Sequence, residues 1–131
     1  DMYDPVTNTW MRAPSSWRPT DFQNPISIGQ KIYFIGDGKS KVFDAIGNRW
    51  TKVREYHNIK PYLWTVNENI YAGGGGSLLG RSINSIDRLL LNQCSNGWMR
   101  LWSPCFPDRA AHCTMNENLY LIGGGGDPTF A

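Results

Sequence analysis

The sequence predicts an all-β chain made by repeating one four-stranded antiparallel unit. Two observations predict it. First, Val66-Asn67-Glu68-Asn69-Ile70-Tyr71-Ala72-Gly73-Gly74 returns as Met115-Asn116-Glu117-Asn118-Leu119-Tyr120-Leu121-Ile122-Gly123-Gly124. A weaker copy, Ile28-Gly29-Gln30-Lys31-Ile32-Tyr33-Phe34-Ile35-Gly36, precedes both. Each copy reads apolar residue, polar turn, tyrosine strand, glycine: two strands joined tightly, then a backbone that bends without side chains. Second, Trp10, Trp50 and Trp98 recur at a similar pitch, each after an Asn/Gly turn, and Tyr3-Asp4 and Phe43-Asp44 precede the first two. One unit therefore holds a strand, a turn, a Tyr strand, glycines, a loop, an aromatic-Asp strand, a turn and a Trp strand. Four strands in about 40–50 residues is the size of a β-propeller blade.

Residues 1–12 read as the two outer strands of a first blade, with Pro5 and Asn8 shaping the turn between them. Residues 13–23 are a loop, broken by Pro14 and Pro19. Within it Trp17 has no core to enter, so it is a candidate contact residue beside Arg18; the alternative is that it folds back on the sheets. Residues 24–53 make a complete second blade, with strands over 25–28, 31–36, 41–44 and 49–53 and a short loop that holds Lys39. Residues 54–60 lead to the next blade, and His57 among them is expected to be solvated. Residues 61–103 make the third blade, longer than the second between its Tyr and its Trp. Leu89, Leu90 and Leu91 exceed what one face of an edge strand buries, so a neighbour or a partner is expected to cover them. Residues 110–126 are the inner strands of a fourth blade.

In these marks the chain resembles the kelch repeat family. Tyr3-Asp4-Pro5-Val6-Thr7-Asn8-Thr9-Trp10 is similar to that family's Tyr-Asp-Pro-x-Thr-Asn-x-Trp stretch, and Gly73-Gly74 and Gly123-Gly124 resemble its double glycine. Arg109 matches the family's Arg eleven residues before the Tyr; Lys60 nearly matches, and Phe22 departs. Gly36-Asp37 departs from the double glycine. In the third unit Asp87 keeps the acidic mark of the aromatic-Asp strand while the aromatic is lost. The resemblance implies a kelch-type propeller segment, half of a six-bladed ring, with Trp10 wedged between neighbouring blades. The marks Tyr3, Asp4, Trp10, Tyr33, Gly36, Phe43, Asp44, Trp50, Tyr71, Gly73, Gly74, Trp98, Tyr120, Gly123 and Gly124 are then structural.

A formal net charge of +2 over 131 residues is too mild for a nucleic-acid partner. No apolar run approaches a membrane span and no signal-peptide pattern opens the chain. With no Met at position 1, an excerpt of a longer protein is expected. Cys94, Cys105 and Cys113 carry no Cys-x-x-Cys spacing, which fits reduced thiols in the cytoplasm; one disulfide with a spare thiol is the alternative. His112-Cys113 are adjacent and point to opposite faces of a strand, so no metal is expected. The glycine runs lack the Lys and the following helix of a phosphate loop. Asp87, Asp108 and Glu117 do not form the paired carboxylates of a glycosidase.

The sequence thus points to a non-catalytic scaffold without cofactor whose loops bind a protein. By resemblance the partner is an actin filament or a substrate of a cullin-based ubiquitin ligase; an upstream BTB and BACK region would mark the latter. The alternative is a galactose-oxidase-like enzyme or a carbohydrate-binding propeller. The candidate partner-binding residues are Trp17, Arg18, Lys39, Arg81 and Arg109, since Arg and Trp dominate interface energetics. Three blade-equivalents cannot close a ring, so the remaining blades of the same chain, or a second copy, are expected to complete it.

Overall fold

The structure, a computed structural model, describes residues 1–12, 19–77, 85–89, 97–101, 106 and 110–124. Among them there is no helix, and the strands are β1 (Met2–Asp4), β2 (Thr9–Met11), β3 (Asn24–Ile28), β4 (Lys31–Ile35), β5 (Lys41–Asp44), β6 (Arg49–Lys52), β7 (Tyr62–Val66), β8 (Asn69–Gly73), β9 (Ile86–Leu89), β10 (Trp98–Arg100), β11 (Ala111–Met115) and β12 (Asn118–Ile122). They form four antiparallel sheets: the pairs β1-β2 and β11-β12, and the four-stranded β3-β4-β5-β6 and β7-β8-β9-β10.

Local chemistry explains each hairpin. Asn67 and Glu68 have φ of 49° and 64°, and Asn116 and Glu117 have 50° and 64°. Two successive left-handed residues match the twist of the flanking strands, as a type I′ turn does. At the outer hairpins the aspartate does the turning. Asp44 accepts hydrogen bonds at one carboxylate oxygen from the N–H groups of Ile46 and Gly47, at 3.0 and 3.1 Å. Asp4 accepts one from Val6 at 2.9 Å. Cross-strand aromatic pairs follow, Tyr3 with Trp10 at 5.2 Å and Phe43 with Trp50 at 5.0 Å between ring centres.

The core lies between the two complete sheets. Tyr33, Ile35 and Val42 from β4 and β5 join Leu63, Ile70, Ala72 and Leu89 from β7, β8 and β9 in one buried cluster, with Tyr56 from the connector. Ile35 and Ile70 are fully enclosed. Burying each such side chain stabilises the fold by about 1.5–3 kcal/mol. The stacking then repeats: β3 lies against β7, and β7 against β11 and β12. On β11 and β12, half-buried His112, Leu119 and Leu121 alternate with exposed Cys113, Tyr120 and Ile122, so one face of this hairpin is turned inward. Among the described strands, β1 and β2 contact only each other.

Several details of the sequence reading are corrected. The first strand of the 24–53 unit starts at Asn24 rather than 25, paired with Ile35, and the Asn24 side chain donates to the Pro61 carbonyl at 2.8 Å; Pro25 is tolerated because β3 is an edge strand. Its neighbouring strands stop at 35 and 52 rather than 36 and 53, and Gly36 has already left the strand with φ of 129°. Trp10 is 72% exposed and packs on Tyr3, and among the described strands none but β1 lies against β2. Asp87 is not the equivalent of Asp44. Trp98 pairs with Leu89 as Trp50 pairs with Phe43, which puts the Asp44 position at residue 90, outside the described residues. Asp87 stands further in and is buried.

The double glycine is also shifted by one. The inner strands pair Tyr62 with Gly73, Asn24 with Ile35 and Ala111 with Ile122. Gly73 therefore stands where the other units carry Ile, and the pair matching Gly123-Gly124 is Gly74-Gly75. Their backbones agree: φ is 65° and 88° at Gly74 and Gly75, 75° and 89° at Gly123 and Gly124. Gly36-Asp37 takes the same place, with Asp37 at 54°. Gly73 is glycine for a different reason, since a Cβ there would meet the Phe106 ring at 2.5 Å.

Candidate functional site

The loop over 36–40 and the connector over 54–61 form the best-defined irregular surface of the described residues. The connector runs between the two complete sheets and is bonded to both. Its Asn58 and Tyr56 carbonyls accept from the Asp37 and Gly38 N–H groups at 3.0 and 2.9 Å. Ile59 exchanges two hydrogen bonds with Gly76, each 2.8 Å, and Lys60 donates to the Phe22 carbonyl at 2.8 Å. From the other side of the loop, the buried Gln23 amide donates to the carbonyls of Lys39 at 2.8 Å and Gly36 at 3.2 Å. The backbone around Lys39 is thus fixed while its side chain stays exposed.

Behind this surface lies a buried polar cluster. Asp87, 3% exposed, accepts from the Tyr56 hydroxyl at 2.7 Å, the Ser85 hydroxyl at 3.3 Å and the Arg100 Nε at 3.1 Å. Asn58 donates from its amide to the Tyr56 oxygen at 3.2 Å and the Gly74 carbonyl at 3.0 Å. Burial, and then the hydrogen bond to Asp87, push the Tyr56 hydroxyl pKa far above the ordinary tyrosine range. A hydroxyl so held keeps its proton and acts as a donor, not as a base. The Tyr56 ring packs on Trp98 at 4.4 Å, and the Trp98 indole donates to the Arg54 carbonyl at 3.3 Å. These bonds tie the connector to β9 and β10 through Asp87 and to the end of β8 through the Gly74 carbonyl. The chemistry of the cluster is that of a strut.

Of the other titratable groups, His112 sits against the Tyr62 ring at 5.2 Å, and burial lowers its pKa. The Asp44 carboxyl is held below the usual range, first by the Gly47 N–H and also by that of Ile46. His57 is exposed and near Gly38, as its loop position implied. Cys113 is an exposed free thiol. Among the described residues no group of three His, Cys, Asp or Glu gathers as metal ligands, and no helix is long and apolar enough to cross a membrane.

Of the five candidate partner-binding residues, Lys39 is in the described surface; Trp17, Arg18, Arg81 and Arg109 lie outside the described residues, as do Leu90, Leu91, Cys94 and Cys105. Leu89 is buried in the core. The sequence reading missed the Tyr56–Asn58–Asp87 cluster. Tyr56 and Asp87 are 31 residues apart, and the one available signal was a Tyr and an Asn at alternate positions of a largely polar segment. No protein-family model matches the chain, and no curated protein matches it either.

Proposed function

We propose that the chain is a non-catalytic protein-binding scaffold, a segment of a kelch-type β-propeller that offers its connecting loops to a protein partner in the cytoplasm. The observation that carries this is the 36–40 loop: pinned from both sides through backbone hydrogen bonds, it presents the exposed Lys39 on a fixed support. A preorganised loop loses little entropy on binding, which favours recognition. The stacking of the β7-β10 sheet on the β3-β6 sheet, and of the β11-β12 hairpin on β7, supports the propeller part of the proposal. The partner is an actin filament or a ubiquitin-ligase substrate.

Cosedimentation with filamentous actin tests the first. The expected outcome is pelleting with the filaments, reduced severalfold by Lys39→Glu and by Trp17→Ala and Arg81→Ala. Pelleting that all three variants leave unchanged would remove the loops as the contact surface. Absence of pelleting for the parent would exclude the filament and leave the ligase substrate as the partner.

A further inference from the structure

We draw no further inference here: the strongest candidate, the rim on which Phe22, Lys39, His57 and Lys60 are exposed along the segments over 20–23, 36–40 and 54–61, belongs to the surface already described, and with Asp21 and Glu55 exposed on the same segments nothing in the structure shows what partner chemistry covers it.

Discussion

A single methyl group probes how tightly the backbone around Gly75 is held. A Cβ there would stand 2.6 Å from the Ile59 carbonyl oxygen, and φ is 88°, a conformation L side chains rarely adopt. Gly75→Ala is expected to destabilise by about 1–3 kcal/mol in urea unfolding, and a smaller loss would show that the connector yields to make room. Tyr56 offers a pH probe. Burial and Asp87 raise its pKa in the folded chain, so folding favours the protonated hydroxyl. That contribution is complete below an unfolded tyrosine pKa of about 10 and is lost as pH rises beyond it. Stability should fall above that pH with a slope of about 1.4 kcal/mol per unit for this one proton. Tyr56→Phe should remove that component of the slope while lowering stability at neutral pH, because Asp87 loses its shortest hydrogen bond. Equal alkaline slopes for the two proteins would contradict the assignment. At this scale the sequence was partly legible. The glycines announced a bend, but a run of four hid which of them turns it and which one makes room for Phe106.

The hairpins are the elements most openly written in the chain. Alternating apolar residues around Asn-Glu fixed both the β7-β8 and β11-β12 pairs, because period-two burial and a two-residue turn leave little freedom. Even so, Glu68 is an unfavourable choice at φ of 64°. Glu68→Gly should stabilise the chain by up to about 1 kcal/mol, through relief of left-handed strain, and thermal unfolding checks the sign. Glu117 has the same backbone strain, but its carboxylate accepts from the Asn67 N–H at 3.1 Å, so Glu117→Gly should gain less than Glu68→Gly. Strand identity was harder to read where no aromatic marked the register. Asp87 looked like the turn aspartate because it lies in the expected window; only the pairing of Leu89 with Trp98 separates the two positions.

For the whole molecule, the sequence exposed the repeat and hence the sheets, but not what joins them. The contacts that do so link residues far apart in the chain, Asn24 to Pro61, Tyr56 to Asp87 and Ala110 to the Tyr62 hydroxyl, and no periodicity encodes such pairs. The same reasoning explains Lys39: its exposure was predictable from a polar loop, whereas the rigidity of its support depends on Gln23 and the connector.

The connector over 54–61 has a consequence for enzymes that cut chains. A protease must draw a substrate segment out into its cleft, and irregular exposed stretches normally oblige. Here the segment between Glu55 and Pro61 is clasped by carbonyls and amides of the segments flanking both large sheets, and its Tyr56 ring is part of the core between them, so releasing it means disturbing that core. Trypsin should therefore spare the bond between Arg54 and Glu55 until global unfolding, despite its place outside any strand. Mass spectrometry of a short digest checks this, and early cleavage at that bond would show that the seam opens on its own.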